Sequence, residues 1–138
     1  MPIERYASGG PYEDQVGYSR VVVTHGIGGC TGITAGTTSL VHGALQHPGD
    51  AFAQALVALQ SALFALERAG FSRSDVVQTR MYVVGIVEHA DDVGRAHAEV
   101  LGDVRPAATM VGIAGLVDPQ MLVEVELVAW HPDDDTAA

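Results

Sequence analysis

This chain contains few cysteines, few basic residues and few charged residues in general, and each of these features excludes a class of protein or surface. The 138 residues include one cysteine, Cys30, so no disulfide can form within the chain, which fits a reducing compartment. Only 7 Lys and Arg stand against 17 Asp and Glu, and the formal net charge of −10 argues against a basic surface for nucleic acid. Charged residues make up 17% of the chain, below the average of about 25%. A small domain with so few charges has more apolar surface than its core can hide, which predicts an oligomer.

The signature of a membrane segment is also missing. The longest apolar run, Ala55 to Leu66, is interrupted by Gln60 and Ser61 and is too short to cross a bilayer. The first ten residues, MPIERYASGG, are polar and glycine-rich and do not resemble a secretion leader. We therefore expect a soluble, cytoplasmic protein without membrane contact.

Motifs for nucleotides, metals and serine nucleophiles are absent as well. The glycines that begin at Gly26 miss the G-x-G-x-x-G pattern, because Gly32 falls one place late. The six histidines show neither H-x-x-x-H nor H-x-H spacing, and no G-x-S-x-G occurs. We expect no cofactor and no metal.

One long helix is the clearest element that the sequence does contain. Asp50 is a suitable N-cap, and Gly70 is a natural residue to follow the last turn. Between them, apolar residues recur at helical spacing and predict one buried stripe: Phe52, Leu56, Leu59, Leu63 and Leu66.

The remaining pattern predicts a single domain over residues 1–130, in which two helices cover one face of a mixed sheet in the order β-β-α-β-α-β-β. The second helix is expected to begin at Asp91 or Asp92 and to end at Gly102. Strands are expected at residues 18–24, 39–41, 74–84 and twice within 105–130. The other expected features are an irregular arm (1–17), a flexible glycine run (25–32) and a disordered acidic tail (131–138).

Two acids interrupt the last strand. Because alternate residues of a strand face opposite ways, Glu124 and Glu126 share one face, and Val123, Val125 and Leu127 share the other. An unpaired carboxylate is costly to bury on an apolar strand, so Glu124 is either solvated or kept for a site. It is a candidate general base for a water molecule, or else an interface carboxylate hydrogen-bonded to backbone.

Several segments in order resemble the RidA/YjgF family of reactive-intermediate deaminases along nearly the whole chain. The matching segments are Gly10-Pro11-Tyr12, then Thr24-His25-Gly26 at the family's spacing, Ala69 to Thr79, Arg105-Pro106-Ala107, and Val123-Glu124-Val125-Glu126. The resemblance implies a chorismate-mutase-like α+β sandwich with a six-stranded mixed sheet. It also implies a homotrimer with ligand clefts between subunits and hydrolysis of imines or enamines to a 2-oxo acid and ammonia, without metal or cofactor.

The chain departs from that family at several positions, among them His25, Gly94 and Met110, and the change at Ala108 bears most on function. The active signature R-P-A-R-S becomes Arg105-Pro106-Ala107-Ala108-Thr109, so the arginine that clamps the substrate carboxylate is replaced by Ala108. The resemblance implies that Glu124 is the catalytic residue. The ligand-binding positions that it implies are Tyr12, His25, Gly26, Ala108, Thr109 and Met110.

Three functions remain open. The first is a Rid-type homotrimer that handles a small imine, enamine or carbonyl metabolite and is not a standard 2-iminobutanoate/2-iminopropanoate deaminase. The second is a non-catalytic ligand-binding or regulatory trimer, and the third is an endoribonuclease, which the net charge disfavours. His25 either faces the cleft or has no role, and Arg20 and Arg80 are the remaining candidates for contact with an anion or are surface residues.

Overall fold

The computed structural model describes residues 3–134 and contains one six-stranded mixed sheet covered on one face by two helices. This is the α+β sandwich that the sequence predicts. The strands run in the order β1-β2-β3-β8-β6-β7, and in the sheet only β6 and β7 pair in parallel. The elements are β1 (Glu4–Tyr6), α1 (Glu13–Val16), β2 (Val21–Gly26), β3 (Gly29–Thr34), β4 (Leu40–Val41), β5 (Ala44–Leu45), α2 (Ala51–Arg68), a 3-10 turn (Arg73–Asp75), β6 (Val76–Val84), α3 (Ile86–Leu101), β7 (Ala107–Ile113) and β8 (Val123–Pro132).

Helix α2 has the limits that its capping residues predict. The Asp50 carboxylate accepts the backbone N–H of Ala53 at 3.0 Å, and Gly70 adopts a left-handed φ of +100°. The N–H of Phe71 then donates to the carbonyl of Leu66, which closes the helix with a Schellman-type end.

The buried face of α2 is richer in alanine than the predicted leucine stripe. Leu59, Leu63 and Leu66 are buried as expected, whereas Phe52 and Leu56 are only partly buried. Small side chains let the helix approach the sheet closely, and the buried alanines are Ala51, Ala55, Ala58 and Ala62. Opposite them lies the buried face of β8: Val123, Val125, Leu127 and Ala129.

The prediction for the start of the second helix was wrong. Helix α3 begins at Ile86, directly after Gly85, whose left-handed φ of +70° turns the chain sharply at the end of β6. Asp92 lies inside the helix, where it pairs with Arg95 at 2.9 Å. The end at Leu101–Gly102 agrees with the sequence.

The predictions for the glycine run and the N-terminal arm were also wrong. Residues 25–32 form most of a β2–β3 hairpin with a two-residue turn, and the arm contains β1 and α1. Gly29 and Gly32 are strand residues against which aromatic rings pack. A Cβ on Gly29 would lie 2.7 Å from the Trp130 ring, and one on Gly32 would lie 2.5 Å from the Phe71 ring.

Two smaller expectations also need correction. The strand expected at 39–41 is half of a separate β4–β5 hairpin, so β3 takes its place in the main sheet. The disordered tail expected over 131–138 was wrong at its start, because β8 continues to Pro132 and His131 Nδ1 lies 3.0 Å from Asp75 Oδ2. Residues 135–138 lie outside the described part of the chain. Within the described range, no helix is long and apolar enough to cross a membrane.

Candidate functional site

A groove of about 1560 Å³ runs beside the open face of the sheet. Its walls come from the N-terminal arm, the segment between β3 and β5, the outer face of α2, and the loop before β8. Of the residues predicted for the site, Glu124 and Tyr12 line this groove. The side chains that the following argument uses are Tyr12, Tyr18, Arg20, Tyr82, Glu124 and Glu126.

Glu124 is a half-buried carboxylate without an internal partner. It lies directly opposite Tyr82 in the β6–β8 ladder, and its side chain packs so closely on Gly36 that a Cβ there would lie 2.7 Å from Glu124 Cδ. No other residue within 3–134 forms a hydrogen bond with its carboxylate. Burial and the neighbouring charge of Glu126 raise the pKa of Glu124, and Arg20 partly offsets that rise. A carboxylate in this setting holds a proton more readily than a solvated one and has its lone pairs available.

Glu126, the second acid on this face, is paired. The hydroxyl of Tyr82 donates to Glu126 Oε1, and Arg80 lies opposite Glu126 in the ladder. The hydrogen bond to Glu126, together with burial, raises the pKa of Tyr82. Tyr82 therefore keeps its proton and orients Glu126, which leaves Glu124 as the available acid.

The Arg20 side chain links three segments around the groove through an ion pair and hydrogen bonds. Its Nε lies 3.3 Å from Glu13 Oε2, and one terminal nitrogen donates to the Gly36 carbonyl at 2.9 Å and to Thr37 Oγ1 at 3.2 Å. The other terminal nitrogen donates to the Tyr18 hydroxyl at 3.2 Å. Four of the five N–H groups of a guanidinium can be accounted for in this way, so Arg20 is mainly a structural cation.

Backbone hydrogen bonds also hold the segment that contains Gly36 in place. Thr37 and Val125 exchange two N–H···O bonds, each 2.8 Å long, in an isolated bridge beside β8. This bridge and Arg20 together hold the Gly36 backbone against the Glu124 side chain.

Glu13 anchors the N-terminal arm to the same network. Its carboxylate is 4% exposed and accepts the backbone N–H of Ser8 at 2.9 Å and the Ser8 hydroxyl. Burial alone would raise the pKa of Glu13, but the bonds from Ser8 and the charge of Arg20 hold it below its usual value. Tyr12, which immediately precedes Glu13, is thereby placed on the groove wall.

The other predicted site residues lie elsewhere in the chain. His25 and Gly26 are at the far end of β2, where His25 Nε2 lies 2.7 Å from Glu4 Oε1. Ala108, Thr109 and Met110 are on β7, the edge strand beyond β6. None of these five lines the groove within the described chain.

The ladder also assigns the β7 residues to faces. Thr109 is level with Arg80 and Glu126 on the open face. Ala108 is level with the buried Thr79, and Met110 with the buried Met81, so both face the helix side.

Sequence reasoning missed three contributors: Gly36, Tyr82 and the structural role of Arg20. Each depends on contacts between segments far apart in the chain, and no local spacing signals them. Among residues 3–134, no group of three or more His, Cys, Asp and Glu side chains is arranged to hold a metal ion.

Comparisons with known proteins agree with this architecture. The sequence model of the family described as Endoribonuclease L-PSP matches residues 4–131. An uncharacterised protein of Streptomyces coelicolor is 34% identical over 129 residues, which cover 94% of this chain and 92% of that protein.

Solved structures are similar over the same extent. Rv2704 from Mycobacterium tuberculosis, a member of the YjgF/YER057c/UK114 family, is 36% identical with a TM-score of 0.81, covering 94% of this chain and 100% of its own. A protein from Pseudomonas aeruginosa is 28% identical with a TM-score of 0.75, covering 93% of this chain and 92% of its own. TdcF from E. coli, solved with bound serine, is 18% identical with a TM-score of 0.71, covering 95% and 98% of the two chains, and shows the fold alone.

Proposed function

The chain belongs to the YjgF/Rid family, whose sequence model is described as Endoribonuclease L-PSP, and from that membership we propose that it acts on small imine, enamine or carbonyl metabolites. The observation that carries the proposal is the Glu124 carboxylate, which lines a groove and has no hydrogen-bond partner in residues 3–134. A site for hydrolysis needs such a group within reach of both water and ligand.

The proposed reaction is addition of water to a carbon–nitrogen double bond. Glu124 accepts a proton from the water as its oxygen bonds to the imine carbon, and the π electrons move to nitrogen. The carbinolamine then collapses: Glu124 returns its proton to the nitrogen, the C–N bond breaks as the hydroxyl gives its proton to Glu124, and a carbonyl compound and ammonia leave. Burial and the charge of Glu126 raise the pKa of Glu124, which suits both proton transfers because a more basic carboxylate takes up a proton more readily.

The standard 2-imino acid activity is not part of the proposal, because Ala108 stands where the active branch of the family has its arginine. Arg20 is a poor substitute, since Glu13, Gly36, Thr37 and Tyr18 already occupy most of its donors. A charge-assisted hydrogen bond contributes roughly 1.5–3 kcal/mol, so its loss lowers the efficiency on small anionic imines by one to two orders of magnitude.

We further propose a homotrimer in which the open sheet faces meet. Apolar side chains form a patch on this face: Val22, Ile33, Val128 and Trp130. Ile33 is 46% exposed and Trp130 is 45% exposed in the single chain, which favours their burial against another copy. In such an assembly a neighbouring subunit would supply Thr109, which lies on the open face, to the groove around Glu124.

A non-catalytic ligand-binding or regulatory trimer is the second candidate, and Ala108 is the observation that favours it. Ribonuclease activity, which the family description names, is disfavoured by the net charge of −10 and by the two carboxylates in the groove.

Turnover assays separate these possibilities. Ammonia release from 2-aminoacrylate and 2-iminobutanoate is measured for the native protein, Glu124→Gln and Ala108→Arg, with the exposed Glu99→Gln of α3 as a control for charge. Slow native turnover that is lost in Glu124→Gln and kept in Glu99→Gln supports the proposal. No native turnover of these imino acids, with activity gained in Ala108→Arg, supports the non-catalytic alternative if the native protein also fails to release ammonia from an imine without a carboxylate.

A further inference from the structure

The groove has an aromatic wall that the proposed reaction does not itself require. All four tyrosines of the chain line it, although aromatic residues make up only 6% of the sequence: Tyr6, Tyr12, Tyr18 and Tyr82. Phe64 of α2 lines it too. Concentration of every tyrosine in one groove indicates a ligand that contacts ring faces and phenol groups.

Two carboxylates, Glu124 and Glu126, and two guanidinium groups, Arg20 and Arg68, line this groove. Arg20 is paired with Glu13, and Glu126 accepts a hydrogen bond from the neutral Tyr82. The exposed Arg68 lies on α2, 6.0 Å from the centre of the Phe64 ring, and has no carboxylate partner in the described range. Glu124 forms no hydrogen bond within that range and adjoins Glu126 on β8, so the charge around it is negative.

The tyrosine rings add to the same preference. The face of an aromatic ring carries negative charge density and attracts cations within about 6 Å. Tyr18 already accepts the Arg20 guanidinium at 5.4 Å from its ring centre. Tyr82 lies directly opposite Glu124 in the ladder and borders the available carboxylate, and Tyr12, which is 40% exposed, lines the same groove.

An anionic ligand meets the opposite situation. A carboxylate beside Glu124 would be repelled, and the donors of Arg20 are occupied by protein groups. Arg80 lies opposite Glu126, outside the groove lining. Arg68 lines the groove from α2 and not from the strand that carries Glu124.

We propose that the groove selects cationic ligands without a carboxylate, an iminium ion or protonated amine attached to an apolar or aromatic group, with the cation on Glu124 and the apolar group against the tyrosines. The proposal rests on the proposed imine site and names the charge class of its substrate. Hydrolysis would convert one iminium ion and one water molecule into a carbonyl compound and an ammonium ion, so charge and atoms balance without a co-reactant. The volume of about 1560 Å³ accommodates a ring-bearing substrate as well as a small one.

Binding measurements with three probes of one shape test this selection. Calorimetry at low ionic strength compares 2-phenylethylamine, 2-phenylethanol and 3-phenylpropanoate, which carry a positive, zero and negative charge at neutral pH. The expected order of affinity is amine, then alcohol, then carboxylate. Glu124→Gln is expected to weaken amine binding roughly tenfold and to leave alcohol binding nearly unchanged.

Glu99→Gln is the matched control, because it removes one negative charge from the exposed surface of α3. If Glu99→Gln weakens amine binding as much as Glu124→Gln does, the preference for the amine arises from the net charge of the protein and the proposal is overturned. Carboxylate binding equal to or tighter than amine binding overturns it, as does failure of the amine to bind. Because these assays need no turnover, an inert protein that still prefers the amine would refute the proposed reaction and leave the selectivity intact.

Discussion

At the scale of single residues, Glu124 determines the pH dependence expected of the protein. Its pKa is raised above the ordinary 4.5 by burial and by Glu126, and a general base must be ionised. Activity should therefore rise with pH through a value above 4.5. Glu126→Gln removes one cause of the rise and should move the midpoint of this limb to lower pH. The measurement is the pH profile of kcat/KM, and an unmoved midpoint would contradict the assignment of Glu124.

The raised pKa of Glu124 also predicts how the stability of the protein changes with pH. A carboxyl whose pKa is higher in the folded than in the unfolded state makes the folded protein less stable as pH rises through that window. Glu124→Gln removes this penalty, so we expect the variant to unfold at an equal or higher temperature than the native protein at pH 7. A marked fall in Tm would instead show that the carboxylate stabilises the fold.

Gly36 tests the position of Glu124 without changing any charge. A methyl group at Gly36 would lie 2.7 Å from Glu124 Cδ, so Gly36→Ala must displace the carboxylate. We expect turnover or amine binding to fall at least tenfold while the fold survives. Gly94→Ala adds the same group in open space inside α3 and should stabilise the protein by roughly 0.5–1 kcal/mol. Equal behaviour of the two variants in the binding assay would count against close packing on Glu124.

Single residues also show where sequence reasoning ends. Strand alternation was enough to put Glu124 and Glu126 on one face and Val123 and Val125 on the other, which the structure confirms. It could not show that Gly36 would lie against Glu124, because that contact depends on how the Thr37 bridge places a distant segment.

At the scale of elements, the Arg20–Glu13 pair joins the N-terminal arm to the sheet. Arg20 is 15% and Glu13 is 4% exposed, so Arg20→Met would leave a buried carboxylate without its cation. We expect a loss of about 3 kcal/mol in the free energy of unfolding, measured with urea. Adding Glu13→Gln should recover part of the loss. A loss no larger than that of Arg73→Met, which breaks an exposed pair with Asp103, would contradict this role.

The Glu13 carboxylate is expected to affect stability with the opposite pH dependence from that of Glu124. The pKa of Glu13 is lowered in the folded state, so its contribution is complete above its unfolded value and is lost as pH falls through the lowered one. The arm should accordingly loosen first in acid, which hydrogen exchange of residues 8–17 can follow.

Helices and strands were predictable from sequence where contacts between residues close in the chain determine their limits. Helix α2 was correctly bounded because Asp50 and Gly70 cap it by contacts within the helix itself. The start of α3 was missed because an acid inside a helix and an acid at its cap look the same in sequence, and Gly85 supplies the turn. The hairpin at 25–32 was missed because its glycines pack against Trp130 and Phe71, which are distant in the chain.

At the scale of the whole molecule, the sequence predicted the layered architecture, and a resemblance in several ordered motifs predicted the family. Both are confirmed. The groove was less accessible to prediction, since Tyr12 and Glu124 both line it whereas His25 and Thr109 lie on other parts of the sheet. Whether Thr109 of another copy completes the groove depends on the proposed homotrimer.

The proposed homotrimer predicts the mass of the protein in solution. Light scattering coupled to size exclusion should give a mass near three times the 14.4 kDa of the chain. Ile33→Glu places a charge in the centre of the apolar patch and should yield monomers, with the emission of Trp130 shifted to longer wavelength as the ring meets water. Val87→Glu is the control, because Val87 is 97% exposed on α3, away from the open face, and should leave the trimer intact. A native monomer, or dissociation caused equally by Val87→Glu, would rule out the open face as the interface, and with it the proposed delivery of Thr109 to the groove around Glu124.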